Sequence, residues 1–281
     1  MEKAALAAPD WRARWLALAA VAAAVGAGML GLALGGAPSS YLAINGAALG
    51  LLAALLLLPG QARSAVLIPA VTFTAIALPF AALLLGPDLQ GVQRWIMLGP
   101  IWLHAGILAI PALVAVLPRQ REGLAAGATA LAMLAIWAQP DFASALALFG
   151  GIAFATAGLR LSGTQQTMRL AAAIGLIATA FRPDPLTGLR FVETALGDGW
   201  ALSPFLGLVM AVTLIIAITA PPLLLTRGKP ELQRSARAVS GAMAGFILAG
   251  LLAPFPQPLI GYGASPIIGY ALALAVLRFT R

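Results

Sequence analysis

Ten apolar segments are the feature that most constrains how this chain can fold. Apolar runs of roughly 17 to 25 residues can cross a ~30 Å hydrocarbon core as helices, because a helix satisfies its own backbone hydrogen bonds where lipid offers no partner. The chain therefore predicts an all-α polytopic transmembrane helical bundle of about ten helices, forming a single integral membrane domain over residues 1–281. Proline, glycine and charge separate the segments, which run approximately over 13–35, 41–59, 64–85, 99–117, 123–138, 142–160, 167–181, 203–225, 238–254 and 264–279.

Composition excludes a soluble domain. Charged residues make up 9% of the 281 residues and hydrophobic residues 61%, whereas soluble domains carry about 25% charged residues. The period-2 alternation of a membrane β-barrel is absent. The first segment, at about 22 residues, is longer than the usual ~7 to 15-residue core of a signal peptide, which predicts a retained helix. Segments 123–138 and 167–181 are short, so we expect protein-lined, locally thinned or re-entrant positions for them.

The distribution of Lys and Arg predicts how the bundle is oriented. If all ten segments span and the N-terminus is cytoplasmic, only Arg94, Arg182 and Arg190 lie outside. An excess of cations on one side is typical of the cytoplasmic face, so both termini are predicted to be cytoplasmic. Attraction to anionic lipid headgroups explains the net charge of +8, and a nucleic-acid role loses its support. The cytoplasmic side receives Lys3, Arg12, Arg14, Arg63, Arg119, Arg121, Arg160, Arg169, Arg227, Lys229, Arg234, Arg237, Arg278 and Arg281.

Several kinds of chemistry are excluded or unsupported. The chain has no cysteine, which removes disulfides, thiolate catalysis and thiolate metal sites. The one histidine, His104, has no second histidine or nearby glutamate for a zinc site and lacks the order of a Ser-His-Asp triad, so we predict a packed or hydrogen-bonded core histidine and no metal site. The segment "RGKPELQRSAR" at 227–237 contains no phosphate-binding loop for nucleotide hydrolysis.

The main external loop, 182–202, holds an unusual concentration of charge. It contains Asp184 together with Arg182 and Arg190. One interpretation is a solvated connector in which "PDPLTG" forms turns. The other is a site at the membrane surface, where Asp184 acts as a general base and the cations hold an anionic headgroup. The sequence leaves both interpretations open.

Two further loops carry candidate residues. Arg94 and Trp95, in "VQRWIMLG", are typical of a snorkelling cation and an interfacial aromatic belt, and the functional alternative is a phosphate contact. Asp141, in "QPD", lies at a tight turn between two segments, where we expect its carboxylate to cap the segment that follows.

Four stretches together resemble the SEDS family (shape, elongation, division and sporulation) of FtsW/RodA-type membrane proteins, and they occur in the order of that family. "GVQRWIMLGP" at 91–100 is similar to its G-x-x-RW-I-x-LG stretch, and "QPDFASALALFGG" at 139–151 is similar to QPD-L-G-T-A-L. "PDPLTG" at 183–188 resembles the external DP-x-G loop, and "PLIGYGASPIIGYALAL" at 258–274 resembles the closing P-F-x-S-Y-G-G-S segment. The resemblance covers most of residues 86–280.

The resemblance implies an inverting peptidoglycan glycosyltransferase that polymerises lipid II at the outer face of the bacterial inner membrane, in cell division or shape control. Asp184 matches the family's catalytic aspartate, and Arg94, Trp95, Arg182 and Arg190 are the candidate substrate-binding residues. A divalent cation is compatible with the family, so the cofactor is left unknown. The implied partners are a lipid-linked precursor, a class B penicillin-binding protein and membrane lipid.

The chain also departs from the family pattern. Ile107 and Ile110 stand where the family has a glutamate and a lysine, Gly261 and Pro266 replace serines, and the external loops are short. Intramembrane ion pairs are costly and are kept for function. A non-catalytic relative that binds precursor or scaffolds a transpeptidase is therefore the alternative hypothesis. A lipid or solute transporter is the third, for which charges at the bilayer midplane would be expected.

Overall fold

The computed structural model describes residues 10–60, 63–99 and 101–279. Over these ranges the chain forms eleven α-helices and one two-stranded antiparallel hairpin. The first five helices and the hairpin are α1 (Trp11–Leu34), α2 (Ser39–Leu57), α3 (Ser64–Leu85), β1 (Trp95–Leu98), β2 (Ile101–His104), α4 (Ala105–Val116) and α5 (Glu122–Ala138). The remaining helices are α6 (Phe142–Thr156), α7 (Gly163–Ala180), α8 (Ala195–Leu202), α9 (Pro204–Leu225), α10 (Gln233–Leu252) and α11 (Ala264–Phe279).

Each predicted apolar segment overlaps one of these helices, so the all-α polytopic class is confirmed. Two elements differ from the prediction. Residues 101–104, expected at the start of the fourth helix, form strand β2, and α4 begins only at Ala105. The external loop 182–202, for which no helix was predicted, contains the short helix α8. Both differences lie on the external side predicted from the charge pattern.

Five helices of the described chain are long and apolar enough to cross a membrane by length and composition alone: α1, α2, α3, α9, and α10 together with its preceding turn, Pro230–Leu252. The helices α4, α5, α6 and α11 are apolar but shorter. A 12-residue helix such as α4 covers only about 18 Å. Strand β2 precedes α4 directly, and a 3-10 turn, Leu117–Arg119, follows it. These two elements make the ordered segment longer than the helix itself.

Helix α4 is the centre of the bundle. Every residue of α4 except Leu108 is buried, and the helix packs against α3, α6, α10 and α11. A helix that is apolar on all sides is suited to such a position because it has no face that needs water. Ile107 and Ile110 lie in this core with 2% and 0% of their surface exposed.

Helices α6 and α10 pack backbone against backbone at glycine positions. A Cβ on Gly150 would lie 2.5 Å from the carbonyl oxygen of Gly241, and one on Gly245 would lie 2.6 Å from the Cα of Ala147. Small residues allow this close approach. Lipid tails are as apolar as the side chains of membrane helices, so the association of two such helices depends on van der Waals contact between their closely packed surfaces.

The loops divide into two faces. On one face Arg119 donates to Ser64 Oγ (2.9 Å), and Glu122 accepts hydrogen bonds from the Ser162 hydroxyl and the Gln165 amide. On the same face the Arg278 guanidinium, near the end of α11, donates to the Leu55 carbonyl near the end of α2. The hairpin, the loop before α8 and the segment before α11 lie together at the other end of the bundle.

Candidate functional site

Three segments far apart in sequence meet at the face opposite the basic loops. They are residues 86–99 and 101–104, which include the two strands of the hairpin; residues 181–194, which precede α8; and the closing loop, residues 253–263. Loops positioned by a rigid helical scaffold are the usual place for a binding or catalytic site.

The hairpin positions Arg94 towards the interior. β1 pairs with β2 from Trp95 opposite His104 to Leu98 opposite Ile101. The Arg94 carbonyl accepts a hydrogen bond from the Ala105 amide at the first residue of α4 (2.9 Å). The guanidinium lies 5.3 Å from the centre of the Trp95 ring. The side chain of Arg94 is only 3% exposed, so the expectation of a snorkelling surface cation is wrong.

The loop before α8 is held by the closing loop through backbone groups. Tyr262 N–H donates to the Phe191 carbonyl (2.7 Å) and Gln257 N–H donates to the Val192 carbonyl (3.0 Å). The Gln257 side-chain oxygen accepts from Leu196 N–H (2.7 Å). Phe191 has a φ of 70°, in the left-handed region that non-glycine residues rarely adopt. These bonds hold the strained residue in place, and such strain is common at functional sites.

Arg94 and Asp184 form an ion pair at the meeting point. Arg94 Nη2 donates to Asp184 Oδ2 over 2.6 Å, the length of a charge-assisted hydrogen bond. The other carboxylate oxygen, Oδ1, accepts from Leu186 N–H at 3.1 Å. Asp184 remains 22% exposed, and the Nε of Arg94 is buried without a hydrogen-bond partner. One end of the pair is therefore anchored in protein and the other is accessible.

A second carboxylate, Glu193, lies close to this pair. Burial raises the pKa of the Glu193 carboxyl; the nearby Asp184 charge acts in the same direction, while the hydrogen bond from Leu189 N–H and the Arg94 charge oppose it. Sequence reasoning did not assign a role to Glu193. Its presence in a charged loop was the only signal, because the electrostatic influence of Arg94 on Glu193 spans 99 positions of the sequence.

A cavity of about 350 Å³ lies among the same three segments; its lining includes Trp95, next to Arg94 in sequence, but neither Arg94 nor Asp184. The hairpin contributes Trp95 and Trp102, the loop before α8 contributes Glu193, and the closing region contributes Tyr262 and Ser265. Ligand sites of roughly this size commonly combine apolar walls with a few polar groups that fix orientation. The aromatic and polar lining here is suited to an amphiphilic ligand.

The other two predicted external arginines make different contacts. Arg182 donates to the Trp137 carbonyl (3.1 Å) and its guanidinium lies 4.8 Å from the centre of the Trp137 ring. Arg190 donates to the Gly35 carbonyl (3.2 Å) and lies over Phe191. Of the predicted binding residues, the structure thus brings Arg94 and Trp95 together with Asp184, and gives Arg182 and Arg190 other neighbours.

Below the hairpin lies a buried polar group of residues. Asp141 caps α6 by accepting from Ser144 N–H at 3.0 Å, which confirms the expected cap. His104 is buried; its Nδ1 accepts from Ile107 N–H and its backbone N–H donates to Ser265 Oγ, which confirms a hydrogen-bonded core histidine. The Nε2 of His104 lies 3.8 Å from Asp141 Oδ2. These contacts connect the end of strand β2 to the start of α6 and the start of α11.

The arrangement offers a carboxylate with access to solvent, a fixed cation beside it and an aromatic wall. Such a carboxylate can accept a proton from a bound hydroxyl group, and the adjacent guanidinium can interact with a phosphate. Over residues 10–60, 63–99 and 101–279 no group of three His, Cys, Asp or Glu side chains is placed to hold a metal ion.

Comparison with solved structures shows which fold this is. The chain is similar to the Thermus thermophilus rod shape determining protein RodA, with a TM-score of 0.72 and 22% identity, covering 98% of this chain and 97% of that chain. An aspartate-to-alanine mutant of that RodA gives a TM-score of 0.73. A chain from a study of polymerization and crosslinking by a peptidoglycan synthase complex gives 0.67, with 23% identity and coverage of 97% of this chain and 98% of that one.

These neighbours share the polytopic helical fold along nearly their whole length. No family model and no curated protein sequence matches the chain. The chain therefore has the RodA fold, and the resemblance to the FtsW/RodA-type proteins holds at the level of three-dimensional structure.

Proposed function

We propose that this chain is a compact member of the SEDS family that acts in cell-envelope synthesis, with the Arg94–Asp184 site handling a lipid-linked peptidoglycan precursor. The observation that carries the proposal is the placement of Asp184. It lies in the external loop where the family motif puts its catalytic aspartate, it is accessible, and it is paired with a buried arginine from the "RW" motif.

In the proposed reaction, Asp184 accepts the proton of an acceptor sugar hydroxyl. The hydroxyl oxygen forms a bond to the anomeric carbon of the donor, and the bond from that carbon to the pyrophosphate oxygen breaks with inversion. The leaving group departs with the electron pair as a lipid pyrophosphate. Proton transfer to a positioned carboxylate contributes typically 10²- to 10⁴-fold to such a step, and Arg94 is placed to stabilise negative charge next to it.

The resemblance is also compatible with a divalent cation. Asp184 Oδ2 is engaged by Arg94, and the described residues include no third acidic or histidine ligand beside Asp184 and Glu193. The protein side chains alone therefore do not form a complete cation site, and the proposed steps use Asp184 and Arg94 only.

A non-catalytic relative is the second candidate, and a specific observation favours it. Ile107 and Ile110, which replace the family's charged residues, are packed into the core of the bundle. In this interpretation the site binds lipid-linked precursor or the protein scaffolds a transpeptidase. The partner would be a class B penicillin-binding protein, and one structural neighbour comes from a peptidoglycan synthase complex. Either candidate would act in the bacterial inner membrane.

Polymerisation of labelled lipid II by the purified protein tests the proposal, with and without the partner transpeptidase. The variant is Asp184→Asn, which keeps the shape of the side chain and removes its basicity. Asp198→Asn is the matched control, because Asp198 is another acid of the same loop and bonds only to the Thr194 hydroxyl in the described contacts.

Glycan product from the wild type and Asp198→Asn, with none from a folded Asp184→Asn that still binds precursor, supports a polymerase that uses Asp184 as base. Absence of product from the folded wild type in both settings, with precursor binding retained, contradicts catalysis and supports the non-catalytic relative. Equal product from all three proteins would show that Asp184 is not the base.

A further inference from the structure

The cavity among the three external segments differs in chemistry from the Arg94–Asp184 pair. Glu193 is the only Asp, Glu, Lys or Arg among the described residues that line it. A phosphate bound there would meet one acid and no guanidinium or ammonium group, which are the side-chain cations that bind phosphate. The cavity is therefore suited to a part of a ligand that carries no phosphate.

One face of the hairpin forms an aromatic wall of this cavity. Trp95 lies opposite His104 and Met97 lies opposite Trp102, and alternate residues of a strand share a face. The ring centres of Trp95 and Trp102 are 6.5 Å apart, and both side chains line the cavity. Because Trp102 is 42% exposed, much of its surface is available to a ligand.

Tyr262 adds a third aromatic ring to the lining. It is stacked on Tyr41, with the ring centres 3.6 Å apart and an angle of 9° between the ring planes. Its backbone N–H donates to the Phe191 carbonyl. These contacts hold the ring in place before a ligand binds, which lowers the entropy lost on binding.

Glu193 supplies the charged hydrogen-bond acceptor of the lining. Its Oε2 accepts from Leu189 N–H, whereas its Oε1 accepts no hydrogen bond among the described contacts. Burial raises the pKa of this carboxyl, which shows that it has lost part of its hydration. A ligand hydroxyl or amide N–H that donates to Oε1 would replace the lost hydrogen bonds to water.

Aromatic rings beside an acid are also typical of a site for a cation, but Arg94 already supplies one here. Its guanidinium lies 5.3 Å from the centre of the Trp95 ring, and its charge acts on Glu193. A second cation in the cavity would be repelled by this guanidinium. The lining thus favours an uncharged ligand with apolar ring faces and polar groups at its edge, which is the chemistry of a sugar.

We propose that this cavity is a carbohydrate subsite, in which Glu193 accepts a hydrogen bond from a sugar hydroxyl or acetamido N–H and Trp102 packs against a sugar ring. This inference rests on the proposed function, because it assigns the sugar part of a lipid-linked precursor to the cavity and leaves the phosphate part to Arg94. Glu193 is then a substrate-binding residue, separate in role from the base, Asp184.

Two soluble probes that represent separate parts of the precursor test the proposal. Diacetylchitobiose is an uncharged disaccharide without phosphate, and farnesyl pyrophosphate carries no sugar. Saturation-transfer NMR titrations with the purified full chain in detergent micelles measure the dissociation constant of each probe.

The variants are Glu193→Gln and Trp102→Ala. In Glu193→Gln the amide oxygen can still accept from Leu189 N–H, so the amide NH₂ group replaces the free carboxylate oxygen. The matched controls are Asp198→Asn, an acid of the same loop, and Trp200→Ala, whose tryptophan is 44% exposed in α8. Neither control residue lines the cavity.

We expect Glu193→Gln to raise the dissociation constant of diacetylchitobiose about ten-fold, the effect of losing a hydrogen bond to a charged group. Trp102→Ala should raise it about five-fold through lost ring contact. Both variants should bind farnesyl pyrophosphate as the wild type does, and both controls should leave the two probes unaffected.

A wild type that does not bind diacetylchitobiose, or variants that bind it unchanged, would overturn the proposal. Equal weakening of both probes would also overturn it, because it would show a structural role for these residues. Polymerisation of lipid II is measured separately. Selective loss of disaccharide binding in a protein whose wild type makes no glycan would support the subsite and contradict only the catalytic role of Asp184.

Discussion

Arg94 and Asp184 differ in burial, and this difference determines how each tolerates replacement. Arg94 is enclosed by the hairpin and Asp184 keeps access to water. Removing the guanidinium leaves a carboxylate that can be hydrated. Removing the carboxylate instead leaves the buried Arg94 guanidinium without another hydrogen-bond acceptor among the described contacts. That loss lowers the free energy of unfolding more.

Replacement of Arg94 by Gln should lower the free energy of unfolding by about 2 kcal/mol, less than the loss of a fully buried pair because Asp184 can reach solvent. Equilibrium unfolding in detergent micelles measures this change. Arg190→Gln is the matched control, since that arginine is exposed and donates to a surface carbonyl, and it should change the stability by no more than about 0.5 kcal/mol. Equal losses in the two variants would show that the ion pair is not the source of stability.

Glu193 makes stability depend on pH with a defined sign. Its pKa in the folded protein is raised above 4.5, so between 4.5 and the folded pKa the native state binds more protons than the unfolded state. Stability then falls as pH rises through this window. Glu193→Gln should remove that fall, because the amide oxygen can still accept from Leu189 N–H without titrating. Unfolding midpoints of both proteins at pH 4 to 7 check it, and parallel curves would contradict the prediction.

Helix elements were predictable where the apolar run decided the structure. The ten segments are predominantly apolar and rich in Ala, Leu, Val and Ile, and each overlaps a helix. The hairpin was not predicted because Trp95 to His104 is itself apolar, and a short apolar run does not distinguish a strand from a helix. The pairing of Arg94 with Asp184 could not be predicted either, because no local sequence pattern indicates a contact between residues 90 positions apart.

The contact of α6 with α10 gives a prediction at the element scale. Gly245→Ala would place a Cβ against the backbone of Ala147, which cannot move aside cheaply, so we expect about 1 to 3 kcal/mol of destabilisation. Gly50→Ala is the control, because its Cβ enters open space and alanine favours helix by about 1 kcal/mol. Thermal unfolding should shift downward for the first and not for the second. A rise in both midpoints would mean that α6 and α10 are less closely packed.

The whole molecule presents two chemically different faces, and their orientation can be measured directly. The absence of cysteine in the chain allows single cysteines to be introduced as unique labels. Thr187→Cys lies in the loop before α8 and Gln166→Cys lies in the first turn of α7, and both positions are exposed.

In intact spheroplasts a membrane-impermeant maleimide should label Thr187→Cys, whereas Gln166→Cys should react only after permeabilisation. This outcome follows from the excess of Lys and Arg on the face that contains α7's first turn. Labelling of both positions in intact cells, or of Gln166→Cys alone, would show that the predicted orientation is wrong.

Asn45 joins the second helix to the closing loop: its amide donates to the Gly261 carbonyl and its oxygen accepts from Gly263 N–H, both at 3.0 Å. These partners are synthesised more than 200 residues after Asn45. A ribosome must therefore have passed residue 263 before the loop that holds Phe191 and Val192 can settle. A nascent chain that stops short of the closing loop consequently has no assembled site with which to engage a ligand.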